Sequence, residues 1–178
     1  MFADLSISSS VFLLLALGLA LGFEFVNGFH DTANAIATSV ATKALRPQHA
    51  ILMAALFNFF GAFAGTAVAK TIGKSLVDEA TTTQTIVAAA LVGAIIWNLV
   101  TWRWGIPSSS SHALIGGLLG ATLVAVGPQA LLVDGIVGKV VVPLVSSPLA
   151  GFAIGFALMV LLYWIFRGFD RKPLGRVF

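Results

Sequence analysis

The stretch that decides the fold runs from residue 10 to residue 42, SVFLLLALGLALGFEFVNGFHDTANAIATSVAT, and contains no Lys or Arg. Its first half is apolar, which is typical of a transmembrane helix, because about 20 such residues cross roughly 30 Å of hydrocarbon. Its second half carries amides, hydroxyls, a His and an Asp. The stretch is too long for one untilted span and too short for two. We expect a full helix, a break near Asn27-Gly28 and then a half-helix, because Gly and Asn both weaken the helical ladder.

The rest of the chain is equally apolar. Of its 178 residues, 58% are hydrophobic and 10% are charged, whereas a soluble domain has about 25% charged residues. The alternating pattern of a membrane β-barrel is missing, so the predicted fold class is all-α: a polytopic helical membrane protein with a single transmembrane domain over residues 1–178. The chain has no Cys for disulfides or thiolate metal sites. Its net charge of +3 indicates membrane topology rather than nucleic-acid binding.

Five spans are expected, over residues 9–26, 49–69, 84–102, 108–126 and 140–166. An odd number places the two ends of the chain on opposite sides of the cytoplasmic (inner) membrane. With the N-terminus outside and the C-terminal end inside, seven basic residues face the cytoplasm and three face outward, as the positive-inside rule requires. The seven are Lys43, Arg46, Arg103, Arg167, Arg171, Lys172 and Arg176; the three are Lys70, Lys74 and Lys139.

Polar residues in the opening stretch share one helix face, because they are spaced by three or four positions. They are Glu24, Asn27, Asp31, Asn34 and Thr38, and His30 is next to Asp31. A carboxylate at bilayer depth costs several kcal/mol and usually marks an ion path. Small polar residues also hold helices together without binding a ligand, and both interpretations stay open for Thr38, Ser39 and Thr42.

The second polar motif is GIPSSSSH, residues 105–112. Pro favours a helix start, and the serines then line the first turn of the new helix. Free amides, hydroxyls and the helix dipole at such a start favour an oxyanion such as phosphate or sulfate. A plain N-cap is the alternative, and His112 fits a structural role or a proton-handling one. Together with a cation at the Asp-bearing face, this motif indicates a cation-coupled anion symporter built on discontinuous helices.

Two other classes of protein need comparison with a symporter. An intramembrane serine hydrolase would need one Ser held by one His, whereas four serines precede His112 and no Gly-x-Ser-x-Gly elbow occurs. We therefore expect no enzyme activity. A passive anion channel is harder to exclude, although ionisable groups on broken helices favour alternating access.

Two segments, NGFHDTANAIA at residues 27–37 and GIPSSSSHALIG at residues 105–116, resemble the paired signatures of the inorganic phosphate transporter (Pit) family, and most of all its bacterial low-affinity permeases. The likeness extends over essentially the whole chain. The resemblance implies a phosphate symporter of two inverted repeats, each with a broken helix and a re-entrant segment around a central site. It places Asp31 and Asn34 at the cation and phosphate site and lets the serines donate to phosphate. The predicted substrate and ion site is Asn27, His30, Asp31, Asn34, Ser109, Ser110, Ser111 and His112.

The chain departs from the family pattern in two ways. Sodium-coupled members tend to have Asn where this chain has His30, so the resemblance favours proton coupling, with sodium coupling as the alternative. Phosphate would then travel free or as a neutral complex with Mg²⁺ or another divalent cation, and no resident cofactor is expected. No second Asn-x-x-x-Asp-x-x-Asn motif follows residue 40. We therefore expect the N-terminal half of a longer permease, partnered by a C-terminal repeat; the alternative is a half-size protein that pairs antiparallel as a homodimer.

Overall fold

The computed structural model describes residues 7–63 and 75–168. Helices account for nearly all of these residues, which confirms the all-α fold class. The α-helices are α1 (Ile7–Ala41), α2 (Pro47–Ala62), α3 (Gln84–Arg103), α4 (Ser110–Ala125), α5 (Val133–Ile136) and α6 (Val142–Phe166). A 3-10 turn (Pro128–Ala130) follows α4, and a π-helical turn (Val137–Val141) joins α5 to α6.

Three described segments are long and apolar enough to cross a membrane: Ser10–Ala41, Gln84–Arg103 and Val133–Phe166. They correspond to the first, third and fifth predicted spans. Helices α2 and α4 have 16 residues each, about 24 Å at 1.5 Å per residue, which is short of a full crossing. Helix α4 lies within the fourth predicted span, residues 108–126, and begins at the serines. Residues 64–69 of the second predicted span lie outside the described residues.

The first helix is continuous, so the predicted break near Asn27-Gly28 is wrong. Helix α1 runs through both residues for 35 positions, about 52 Å at 1.5 Å per residue. A glycine inside a helix costs only about 1 kcal/mol relative to alanine. Opening the ladder in apolar surroundings would leave amide and carbonyl groups unpaired, at about several kcal/mol each. The intact ladder therefore outweighs the local preference of Asn27 and Gly28.

Helices α1 and α3 run in the same direction. Phe23 packs against Ala94, and His30 contacts Thr101, so the contacts follow the same order along both helices. This direction agrees with the predicted topology, in which the first and third spans cross the same way. One side of the polar stretch of α1 is therefore buried against α3.

Helices α3 and α4 form an antiparallel hairpin. Gly117 lies so close to α3 that a Cβ added to it would clash with the carbonyl oxygen of Ala90. Small residues permit such close helix contacts in membrane proteins. Ile86, Ala90 and Leu118 form a buried cluster at this contact. The close contact fixes the position of the serine-bearing start of α4 relative to α3.

The end of the hairpin away from the serines is closed by an isolated antiparallel bridge between Val77 and Leu131. The backbone amide of Leu132 donates to the carbonyl of Leu76 at 3.0 Å. Leu76 and Val77 are each only 1% exposed. The connections before α3 and after α4 are thus held together.

The described chain forms two compact units that divide between Leu132 and Val133. In the second unit, α5, the π-helical turn and α6 make one helical segment with no buried residue in its most hydrophobic window. Exposed apolar side chains along its length are what a lipid-facing span requires. The single transmembrane domain expected over residues 1–178 stays a prediction.

Candidate functional site

The two sequence motifs meet at Asp31 and Ser110. The hydroxyl of Ser110 donates to Oδ1 of Asp31 at 3.2 Å, across 79 positions of sequence. Ser110 is 1% exposed, whereas the side chain of Asp31 is 51% exposed. The first turn of α4 therefore places one hydroxyl on the carboxylate of α1 and leaves part of that carboxylate open.

His30 lies inside the helix interface although its neighbour Asp31 is half exposed. The imidazole is 4% exposed, and its Nε2 is 3.3 Å from Oγ1 of Thr101. Its Nδ1 lies 3.5 Å from Oδ1 of Asp31, close enough for an ion pair, yet it makes no hydrogen bond to any described residue. Helix periodicity thus gives the two neighbours different surroundings: the histidine faces α3 and the carboxylate faces an opening.

Thr101 was not predicted as a site residue, although it is the partner of His30. Thr101 is 2% exposed, and its Oγ1 donates to the carbonyl of Trp97 at 2.9 Å. The same oxygen is 3.1 Å from the carbonyl of Asn98. The signal that could have found it is the pair Asn98 and Thr101, two polar residues three positions apart in a span that is otherwise apolar at that level.

Asn27 and Asn98 bring further polar atoms to the same interface. Asn98 is 0% exposed, and neither atom of its amide has a hydrogen-bond partner within the described part of the chain. Oδ1 of Asn27 is also buried and unpaired there. Asn27 lies three positions before His30, and Asn98 lies three positions before Thr101. Because α1 and α3 run in the same direction, the two asparagines lie at the same height along the helix pair. This interface therefore contains more polar groups than it satisfies.

A cavity of about 360 Å³ lies along α1 and α2, where Glu24, Asn27, Asp31 and Asn58 line it. Among the described residues, no Lys or Arg lines this cavity. Two carboxylates without a basic neighbour create a negative potential that attracts cations. Glu24 belongs to the predicted polar face, whereas Asn58 on α2 was missed.

A second cavity of about 430 Å³ lies on the other side of the serine turn, lined by Trp97, Ser108, Ser109 and His112. Ser109 is the N-cap of α4, and its Oγ accepts from the backbone amide of His112 at 3.3 Å. The same Oγ is 2.8 Å from Nδ1 of His112. A hydroxyl oxygen has two lone pairs, so Oγ either donates its proton to Nδ1 or accepts a second proton from it, depending on the tautomer of the imidazole. Ser108 accepts from Nε1 of Trp97 at 3.1 Å.

The structure separates serines that were expected to act together. Ser110 faces Asp31, Ser109 binds His112, and Ser111 is exposed. Successive residues on a helix point about 100° apart, so these three hydroxyls have different surroundings. Asn34 is exposed and lies outside the cavity beside Asp31. The described chain brings together four of the predicted residues, Asn27, His30, Asp31 and Ser110, and their role in binding stays a prediction.

Comparison with known proteins identifies the class. The model of the phosphate transporter family matches residues 27–176. A probable low-affinity inorganic phosphate transporter of Bacillus subtilis (strain 168) is 53% identical over 150 residues, covering 83% of this chain and 45% of the relative. The low-affinity inorganic phosphate transporter PitB of Escherichia coli (strain K12) is 42% identical, with 92% of this chain and 36% of the relative covered. The chain thus spans less than half the length of these two relatives.

Two further likenesses agree. A probable low-affinity inorganic phosphate transporter of Streptomyces halstedii is 50% identical over 94% of this chain and 78% of the relative. A solved structure, the sodium-dependent phosphate transporter, superposes with a TM-score of 0.81 at 31% identity, over 86% of this chain and 40% of that one. These proteins are transporters, which confirms that the chain is not an enzyme. With its apolar helices, this multi-pass membrane chain belongs to the phosphate transporter family.

Proposed function

We propose that this chain forms one half of a low-affinity inorganic phosphate transporter that works by cation-coupled symport across the cytoplasmic membrane. The observation that carries the proposal is the hydrogen bond between Ser110 and Asp31, because it joins the anion-attracting helix start to the carboxylate-bearing helix. The names of the relatives from Bacillus subtilis and Escherichia coli support phosphate as the substrate.

The arrangement explains why an anion and a cation would bind together. The start of α4 offers free backbone amides and hydroxyls, which attract an oxyanion. Ser111 and His112 are exposed at this helix start, whereas the hydroxyl of Ser109 is hydrogen-bonded to His112. Asp31 repels phosphate at close range unless a cation offsets its charge. Binding of each ion therefore favours binding of the other, which is the requirement for symport.

Protons are the coupling ion that we favour. His30 sits beside Asp31 with an unpaired nitrogen, so the pair offers a place for one proton. The alternative is sodium, and the name of the sodium-dependent solved relative supports it. In the described residues no group of three His, Asp or Glu side chains could hold a metal ion. We propose that a co-transported Mg²⁺ or other divalent cation would enter bound to phosphate as a neutral complex.

A second repeat would complete the site from the open side of Asp31. The short coverage of the relatives, 45% and 36% of their lengths, supports a C-terminal repeat as the partner. A homodimer of this chain, antiparallel in the membrane, is the alternative arrangement. For the arrangement with a C-terminal repeat we propose that the N-terminus lies outside and the C-terminal end of this segment inside, as the charge distribution predicts, whereas an antiparallel homodimer would hold one of its two copies inverted.

Uptake by purified full-length protein in liposomes tests the proposal. Radiolabelled phosphate should accumulate above equilibrium when the outside is more acidic, and an imposed sodium gradient should add little. Omitting Mg²⁺ distinguishes free phosphate from a metal complex, and excess unlabelled sulfate tests another oxyanion as the substrate. Uptake that only reaches equilibrium would indicate a channel, and accumulation driven by sodium alone would favour the alternative coupling ion.

A further inference from the structure

The hydroxyl of Thr101 has one proton and three neighbours. It lies 2.9 Å from the carbonyl of Trp97, 3.1 Å from the carbonyl of Asn98 and 3.3 Å from Nε2 of His30. Carbonyl oxygens accept hydrogen bonds and cannot donate them. If the proton pointed to His30, two carbonyl oxygens would face a bare hydroxyl oxygen at short range. The proton therefore points to the carbonyls, and Thr101 presents a lone pair to His30.

This arrangement selects one tautomer of the imidazole. A lone pair on Thr101 requires the N–H of His30 to be on Nε2. The other ring nitrogen, Nδ1, is then bare in the neutral imidazole, and it lies 3.5 Å from the carboxylate oxygen of Asp31. Two acceptors thus face each other, the ring nitrogen buried and the carboxylate half exposed, and they repel each other. One added proton, shared by Nδ1 and the carboxylate, converts that repulsion into a hydrogen-bonded pair.

We propose that Thr101 is a positioning residue that holds His30 with its proton on Nε2, so that Nδ1 and Asp31 together need the coupling proton. This inference rests on the proposed function and assigns its proton to two named atoms. The proton arrives from the outer aqueous side, binds between Nδ1 and Oδ1, and leaves to the cytoplasm; no other bond forms or breaks. A neutral histidine with its proton on Nδ1 would satisfy Asp31 without any extra proton, and Thr101 excludes that tautomer.

The surroundings of the pair leave Asp31 as the charged group in contact with His30. Helix α3 contributes Asn98 and Thr101, and α4 contributes Ser110, all uncharged. On α1, Glu24 lines the same cavity as Asp31, and α2 adds the uncharged Asn58 to it. His112 makes its hydrogen bond on the far side of the serine turn, in the second cavity. The coupling proton is therefore assigned to His30 and Asp31 rather than to His112.

The tautomer can be measured without any transport. Full-length protein labelled with ¹⁵N-histidine is placed in lipid bilayers at alkaline pH, and solid-state NMR identifies which nitrogen of His30 bears the proton. A His30→Gln sample assigns the signal by its loss. We expect the proton on Nε2 in the wild type and in Thr101→Ser, which keeps the hydroxyl, and on Nδ1 in Thr101→Val. A proton on Nδ1 in the wild type overturns the proposal.

Transport by the same variants gives the functional outcome. When labelled phosphate exchanges for unlabelled phosphate at equal pH, the transporter carries phosphate and its proton in both directions. This exchange needs no net proton movement. We expect Thr101→Val to keep this exchange and to lose about tenfold of the accumulation driven by an acidic exterior, the factor that one hydrogen bond provides. Thr101→Ser should retain both. Full proton-driven accumulation by Thr101→Val overturns the proposal.

The two measurements separate this inference from the function on which it rests. If the wild type neither exchanges nor accumulates phosphate, the proposed function fails, while the NMR result still reports the role of Thr101. If Thr101→Val does not fold, the tautomer of the wild-type protein decides, because that measurement needs no variant of Thr101.

Discussion

The two sides of the serine turn make different contacts, although the serines on them are adjacent in sequence. On the side that faces α1, called the inner side here, Ser110 is buried and donates to Asp31, next to the His30 and Thr101 contact. On the side of the second cavity, called the outer side here, Ser109 is exposed, caps α4 and binds a histidine of that helix. Both sides therefore contain a hydroxyl and an imidazole, but only the inner side connects two distant helices.

This difference shows that adjacent identical residues can have separate roles. The inner hydroxyl has a charged partner and no access to solvent, so its loss should affect transport. The outer hydroxyl satisfies the backbone amide of His112 in the first turn of α4, so its loss should affect stability. The following substitutions test that separation, starting with the largest expected effect.

Asp31→Asn should have the largest effect, a loss of phosphate uptake of about thirtyfold or more. The substitution keeps the shape of the side chain but removes the charge that the cation offsets, and a hydrogen bond to a charged group contributes about 1.5–3 kcal/mol. Initial uptake rates in proteoliposomes measure it. Expression and thermal melting should match the wild type, and normal uptake would contradict the assignment of this carboxylate.

Ser110→Ala should reduce uptake by about tenfold, because it removes the buried donor to Asp31 without creating a large cavity. Ser147→Ala is the matched control, since Ser147 is an exposed serine of α6 that lies outside both motifs, and its uptake should stay within about twofold of the wild type. The comparison fails if the two variants lose uptake equally.

Ser109→Ala should act on stability. Removing a serine N-cap costs about 1 kcal/mol, whereas glycine at the same position costs only a few tenths. Thermal melting of Ser109→Ala and Ser109→Gly measures the difference. A large loss of uptake by the stable Ser109→Gly variant would show that the outer hydroxyl also binds substrate.

Asn98→Leu should have the smallest effect. Replacing a buried, unpaired amide with an apolar side chain of similar size is nearly neutral or stabilising. Thermal melting should therefore be unchanged or raised, while Asn98→Ala should lower it by leaving a cavity. Strong destabilisation by leucine would mean that a bound water or ion satisfies the amide in the membrane, and uptake assays would then show whether it matters for transport.

The hairpin of α3 and α4 was predictable because its signals are local. Residues 105–109 stop one helix and start the next, and Ser109 takes the cap position that a serine favours. The continuous α1 was not predictable from Asn27-Gly28, since the energy that keeps the ladder closed comes from apolar surroundings and from packing against α3. Local preferences of that size are routinely overridden by tertiary contacts.

The site was predictable in its parts and not in its pairing. Asp31 and Ser110 were each singled out by polarity in an apolar chain, but the bond between them depends on how α4 returns towards α1. Thr101 was missed because a single hydroxyl in a membrane span usually has only a structural role. Its importance becomes visible when its distances to two carbonyls and one imidazole are considered together.

The close approach of Gly117 to Ala90 has a mechanical consequence. Sliding of α4 along α3 would meet a steric clash at this contact, which favours movement of the two helices together. The His30 contact with Thr101 and the Ser110 bond to Asp31 both join α1 to this pair. In the proposed transporter, a shift of α1 against α3 and α4 would break the two contacts together.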